Sequence, residues 1–203
     1  LAQISILKKE TYKRSTWKNG LGYTDQIAIY PADATLAQAN FLFRLSSARI
    51  ENASPFSLFP AHDRVLVILK GKGLKLTHTF EEGGEEEVVE LPAFEPYEFP
   101  GDVPSRCDLI QGPITDFSLF VKRAEIQHLV EMIELGEDEQ YEWSPEGRWN
   151  YALAVSGSFE SESGALSEGD TFLLEHSSPL MGNRMTQFMS TSPSAKLLLI
   201  SLA

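Results

Sequence analysis

The sequence predicts an all-β protein, and three observations carry that prediction. Val65-Leu66-Val67-Ile68-Leu69 is apolar at every position, as a strand covered on both faces must be. Other short apolar or alternating runs recur along the chain, separated by clusters of Gly, Pro, Ser and Asp, a spacing that favours a sandwich or barrel over α/β. An apolar strand broken by glycine occurs twice, as Val67 to Leu74 and as Leu153 to Phe159, roughly 85 residues apart, which suits a duplicated small β domain.

Taken in order, Phe41 to Ser46 alternates imperfectly and Val65 to Leu69 reads as a central strand. Lys70-Gly71-Lys72-Gly73 supplies turn chemistry before Leu74 to Thr77 resumes a period of two, so this junction is a hairpin or a bulged bend. Further strands are expected at Glu87 to Leu91, Asp116 to Val121, Tyr151 to Val155, Thr171 to Leu174, Met185 to Met189 and Lys196 to Leu202. The segment from Ile126 to Leu135 fits either a helical face or a buried strand, and its neighbours favour strand. Ala32 to Asn40 has room for one helical turn in a connection. Each half carries an acidic or polar tip followed by a Gly-Asp turn, Gly101-Asp102 in one and Gly169-Asp170 in the other.

Composition limits the function classes. The 203 residues carry a formal net charge of −12, which repels nucleic acid and anionic membrane alike. Cys107 is the only cysteine, so an internal disulfide framework and a thiolate-rich zinc site are excluded. No apolar run approaches the roughly 18 residues that span a bilayer, and Leu1 to Leu7 lacks the form of a signal peptide. The expectation is a cytoplasmic globular protein with neither nucleic acid nor membrane as partner. The acidic runs Glu81 to Glu90 and Glu134 to Glu146 read as solvated tips that keep exposed strands from pairing.

The ordered motifs Trp17-Lys18-Asn19-Gly20-Leu21-Gly22-Tyr23-Thr24, Phe43-Arg44-Leu45-Ser46, Pro55 to Pro60 with Asp63-Arg64, Phe99-Pro100-Gly101-Asp102, and Asp116-Phe117-Ser118 with Lys122-Arg123 form a specific set. With them the chain resembles the HutD/Ves family across about its first 125 residues. The resemblance implies a bicupin: two double-stranded β-helix (jelly-roll) barrels in one chain, with roles in histidine utilisation or stress response. The expected division is an N-terminal barrel at 1–125 bearing the ligand pocket and a C-terminal barrel at 126–203, with strands open to exchange between the halves. Against the family pattern, Thr16 stands for Pro, Gln26 for Glu, Phe43 for Trp, Ser54 and Ala61 for Gly, and Ser118 for Asn. The lost carboxylate at Gln26 is the departure that bears most on a ligand contact.

Candidate chemistry follows from residue types. A cupin metal needs about three His and a carboxylate, commonly with a His-x-His pair. His62, His78, His128 and His176 supply no such pair, and Arg64 close to His62 repels a cation, so no metal or other cofactor is expected. Cys107 reads as a small buried hydrophobe, no Gly-x-Ser-x-Gly elbow exists, and Gly20-Leu21-Gly22 reads as a turn. The Trp17 to Thr24 segment offers an indole, an amide, glycines and a hydroxyl, which suits a small polar ligand or a structural turn equally; the resemblance favours the ligand. Arg44 lies in an apolar strand and Arg64 at the start of another, where each guanidinium must find partners. Facing one cavity they would clamp carboxylates; alternatively each pairs with an internal acid such as Asp102 or Asp116.

The leading expectation is a non-enzymatic binder of a small anionic metabolite. Its ligand residues are Trp17, Asn19, Thr24, Arg44, His62, Arg64 and Asp102, with no catalytic residue assigned. The resemblance points to a histidine-degradation intermediate such as formyl- or formiminoglutamate, bound for regulation. The competing expectations are an enzyme, metal-dependent or using Asp102 or His62 as proton carrier, and a structural module that associates through strand edges as a homodimer.

Overall fold

The computed structural model describes residues 2–17, 20, 22–80, 84–177 and 184–203. Regular structure among these residues is strand throughout, apart from one 3-10 turn at Lys9–Thr11. No helix among them is long and apolar enough to cross a membrane. The strands are β1 (Ala2–Leu7), β2 (Lys13–Thr16), β3 (Gly22–Tyr30), β4 (Phe43–Ile50), β5 (Ser54–Pro55), β6 (His62–Lys70), β7 (Leu74–Thr79), β8 (Glu86–Leu91), β9 (Tyr97–Pro100), β10 (Ser105–Leu109) and β11 (Ile114–Lys122). They continue as β12 (His128–Gly136), β13 (Gln140–Trp143), β14 (Trp149–Ser156), β15 (Ser158–Ser161), β16 (Gly164–Ser167), β17 (Thr171–His176), β18 (Thr186–Ser190) and β19 (Ser194–Leu202).

The chain forms two compact units, a central one of Lys13–Ile126 and a terminal one of Leu1–Tyr12 with Gln127–Ala203. This differs from a contiguous 1–125 and 126–203 division because the first strand belongs with the last ones. β1 pairs along its whole length with β17, and Asp170 fixes the segment that follows, accepting from Lys8 Nζ at 2.8 Å and Lys9 N at 3.1 Å.

In the central unit a six-stranded sheet, β2-β3-β4-β11-β6-β9, faces a four-stranded one, β5-β10-β7-β8. β6 runs between β11 and β9, and Val65 to Leu69 are all buried, as the uninterrupted apolar run requires. β6 and β7 belong to different sheets, so the turn at 70–73 is a bend that carries the chain across the sandwich and not a hairpin. Gly71 and Gly73 make that bend at φ of 106° and 98°, and a Cβ on Gly73 would collide with the Leu91 carbonyl. Between the sheets pack Ile50, Leu66, Ile68 and Ile114 from one side and Leu74, Leu76, Leu91 and Cys107 from the other. Each aliphatic side chain buried there contributes about 1.5–3 kcal/mol.

The terminal unit repeats the plan. Its sheets run β1-β17-β14-β19-β12 and β13-β18-β15-β16, so β12 to β19 retrace β4 to β11 strand for strand. Gly157 matches Gly71 with φ of 74°, and the pairing of β11 with β6, like that of β14 with β19, carries one register shift. The glycine-broken strands thus mark a genuine repeat. The Gly-Asp turns do not. Gly101-Asp102 follows β9 whereas Gly169-Asp170 precedes β17, the counterpart of β9, so the two occupy different corners.

Two other expectations are settled here. Residues 128–136 are strand β12, paired with β19 throughout. The connection at 32–40 contains turns and no helix, because the Asn40 Oδ1 accepts from Thr35 N at 2.9 Å and closes the loop locally.

Candidate functional site

Strand register builds the site. On β11 the residues Asp116, Ser118 and Phe120 alternate onto one face. Phe120 pairs with Arg44 of β4 and with Arg64 of β6, so both arginines flank one phenyl ring on a single row. The next row holds Gln26, Ser46, Ser118 and Leu66, and the one beyond it Ser15, Thr24, Ala48, Asp116 and Ile68. The guanidiniums lean towards the serine row. Arg44 donates from Nε to Gln26 Oε1 and from Nη1 to Ser46 Oγ, both at 3.0 Å, while Arg64 donates from Nη2 to Ser118 Oγ at 3.0 Å.

Apart from Gln26, Leu66 and Ile68, the residues of these rows line a cavity of about 460 Å³ in the central unit, together with Trp17, Ser54, Phe56, Phe59 and Leu36. The volume falls within the usual range for small-molecule sites. Arg44, Arg64 and Asp116 are only 6%, 8% and 1% exposed. Among the described residues neither guanidinium makes an ion pair within 4.0 Å, and Arg64 Nε is buried with no hydrogen-bond partner. Arg64 is instead enclosed by rings, its Cζ lying 4.0 Å from the Phe56 centroid and 4.8 Å from that of Phe120.

Burial sets the electrostatics. It pushes both Arg44 and Arg64 down to about 10, so each stays charged at neutral pH, partly supported by Asp116. Burial also pushes the Asp116 carboxyl up to about 6 against the pull of Arg64, the Ala48 N–H and Arg44. Two cations and one carboxylate leave the cavity with an excess of positive charge. A small anion would meet that charge in a setting with little water to screen it.

Trp17 and Thr24 contribute to the cavity wall. Trp17 N donates to Gly22 O at 3.0 Å, closing the β2 to β3 turn, and Trp17 Nε1 donates to Thr24 Oγ1 at 2.9 Å. The Thr24 hydrogen remains able to point at a ligand. Gly22 is obligatory because a Cβ there would collide with Arg49 O and press on the Trp17 ring.

Residues 9–190 match the HutD family model. The chain belongs to the HutD family. It is 34% identical over 119 residues to an uncharacterized 21.2 kDa protein in the hutC 3′ region of Pseudomonas putida, a match covering 59% of this chain and 58% of that one. Protein Ves of Cronobacter sakazakii is 32% identical over 108 residues, 53% of this chain and 54% of that protein. The chain thus spans little more than half the length of these curated relatives. The structure of HutD from Pseudomonas fluorescens SBW25, described for a formate condition, superposes with a TM-score of 0.75 at 26% identity, covering 99% of this chain and 98% of that one.

Of the ligand residues expected from the sequence, the structure brings Trp17, Thr24, Arg44 and Arg64 to one cavity. Asn19 lies outside the described residues. His62 and Asp102 do not line the cavity. The His62 ring is buried, with Nδ1 2.9 Å from Pro60 O and Nε2 3.1 Å from Phe41 O, so it ties two loops together. Asp102 is largely exposed and pairs with Arg123 at 3.0 Å, and this hydrogen-bonded guanidinium holds its carboxyl below the usual range. Neither is placed to carry a proton to a ligand in the cavity. Among the described residues no three His, Cys, Asp or Glu side chains cluster as metal ligands.

Gln26, flagged in the sequence for its missing charge, reaches the site through Arg44, while Ser46, Ser118 and Phe56 join it without having been assigned to it, and Asp116 enters as part of the lining instead of as an arginine's ion-pair partner. A signal existed for two of them, since Ser46 and Ser118 stand two positions from Arg44 and Asp116 on alternating strands. The terminal unit lacks the set. Matching β14 to β6 through the shared glycine bend puts Asn150, Leu197 and Leu199 where the central unit has Arg64, Asp116 and Ser118, and both leucines sit in an apolar core.

Proposed function

We propose that this chain is a bicupin that binds a small carboxylate metabolite in the cavity of its central unit, without catalysing a reaction, in a regulatory role. The observation that carries this reading is a pair of buried guanidiniums on one row, partnered by neutral groups and lining the same cavity. Such cations are costly to bury unpaired, and a ligand carboxylate would supply the missing partner through charge-assisted hydrogen bonds. Arg44 and Arg64 hold carboxylate oxygens, Thr24 bonds the polar end and Trp17 covers it. A ligand lacking the anionic groups would leave the arginines unpaired, which is the basis of selectivity.

The bicupin reading is supported by the matching strand orders of the two units, each with a large and a small sheet. The regulatory reading and the choice of ligand rest on family membership and on the hut context in a relative's name, which favour a histidine-degradation intermediate such as N-formyl- or N-formiminoglutamate. The cytoplasm is the compartment that suits such a role, and a homodimer through strand edges is the expected assembly. Isothermal titration with both compounds should give binding in the wild type that vanishes in Arg64→Ala. Absence of heat with both compounds would refute the reading, and light scattering reports the assembly.

A further inference from the structure

The cavity's own carboxylate suggests how binding is regulated, an inference that rests on the anion-binding reading above. Among the described residues Asp116 is the one acidic side chain in the lining, and its Oδ1 accepts from Ala48 N at 3.0 Å. Arg44 on β4 and Arg64 on β6 act on its charge, while burial raises the Cys107 thiol of β10 and Asp116 in turn adds to that rise. β3 and β5 present only the neutral Thr24, Gln26, Ser54 and Pro55 to the cavity or its arginines. No ion pair within 4.0 Å ties Asp116 to either arginine, so its ionised form depends on their field across the cavity.

A ligand carboxylate drawn between the two guanidiniums takes up that field and adds a like charge beside Asp116. Both effects favour the neutral carboxyl, which can then donate a hydrogen bond to an acceptor on the ligand. We propose that Asp116 is a proton-coupling residue, so that each carboxylate ligand enters with one proton, taken from solvent onto the Asp116 carboxylate. Burial already raises this carboxyl to about 6, which brings the exchange into the range of cellular pH. No bond other than O–H is made or broken. Binding would therefore weaken as pH rises, giving the site a response to acidification as well as to ligand concentration.

The test titrates N-formyl-L-glutamate into the full chain at pH 5.5, 6.5 and 7.5, using at each pH two buffers of different ionisation enthalpy. The ligand's carboxyls, with pKa values of about 4, stay ionised throughout, so proton uptake reports on the protein. The expected result is uptake approaching one proton per ligand at pH 7.5 and affinity falling up to about tenfold between pH 6.5 and 7.5. Asp116→Asn should bind with no uptake and with an affinity that is flat across the series. Binding by the wild type without uptake or pH dependence would overturn the coupling alone, as would an Asp116→Asn variant that keeps the wild-type slope. No heat from the wild type even at pH 5.5 would instead sink the anion-binding reading beneath it. Should Asp116→Asn not fold, the two-buffer proton count on the wild type still decides the matter.

Discussion

Arg44 and Arg64 occupy one row of the six-stranded sheet with Phe120 between them, although they come from strands that do not pair with each other. The relationship follows from β11, which pairs with both β4 and β6 and fixes the position of each guanidinium. A buried cation on such a frame is expected to serve binding at the expense of stability. Arg64→Met should therefore fold with a melting temperature equal to or above that of the wild type, while affinity for N-formyl-L-glutamate falls at least about tenfold, the worth of one charge-assisted hydrogen bond. Thermal melts and titration calorimetry on the same preparation check both halves.

Gln26 gives Arg44 a neutral acceptor. Gln26→Glu would place a carboxylate there, pair the cation internally and remove one positive charge from the cavity. Anion affinity should drop by about tenfold with little change in fold, measurable by titration at low salt.

Asp116 also leaves a mark on stability. Its carboxyl is raised from 3.8 to about 6 in the fold, so the native state holds a proton there that the unfolded chain has released. This contribution favours the native state below pH 4, is lost as pH climbs to about 6, and is constant above that. At about 1.4 kcal/mol for each pH unit, Asp116→Asn should be more stable than the wild type at pH 7 by up to about 3 kcal/mol and no more stable at pH 4. Urea denaturation at both pH values tests the sign. Asp102 and Asp170 shift the opposite way, but they are common to both proteins and cancel in the difference.

Trp17 reports on occupancy. Its indole lines the cavity, whereas Trp143 and Trp149 belong to the terminal unit. Ligand should change the intrinsic fluorescence of the wild type, and that change should be absent in Trp17→Phe.

Asp102 serves as a control. Its exposed pairing with Arg123 is worth within about 1 kcal/mol, so Asp102→Asn should leave ligand affinity unchanged and stability nearly so. A large loss of affinity would mean that the cavity is not the site.

The strands were legible where the sequence was most apolar. Val65 to Leu69 dictated a buried position, whereas alternation set Arg44 opposite Phe43 and Leu45 without revealing that its own face is buried too. The partners were harder to read. Ser118 and Arg64 lie 54 positions apart and Ala48 and Asp116 lie 68 apart, and only pairing through β11 makes each pair neighbours. Gln26 was noticed for its missing charge, yet its contact with Arg44 depends on the register of β3 on β4, which shifts between Gln26 and Ala28. His62 looked like a site residue because it precedes the central strand, and Asp102 because it offered an acid to pair an arginine or carry a proton. Sequence adjacency does not reveal that one ring faces two carbonyls and one carboxylate faces solvent.

The doubled architecture means that the buried arginine pair and its aspartate are carried by a single copy. With Leu197 and Leu199 filling positions that Asp116 and Ser118 hold in its sibling, the terminal unit is free to be simply robust. Grafting the arginine, aspartate and serine onto it would be a direct way to ask whether the second copy still remembers how to bind.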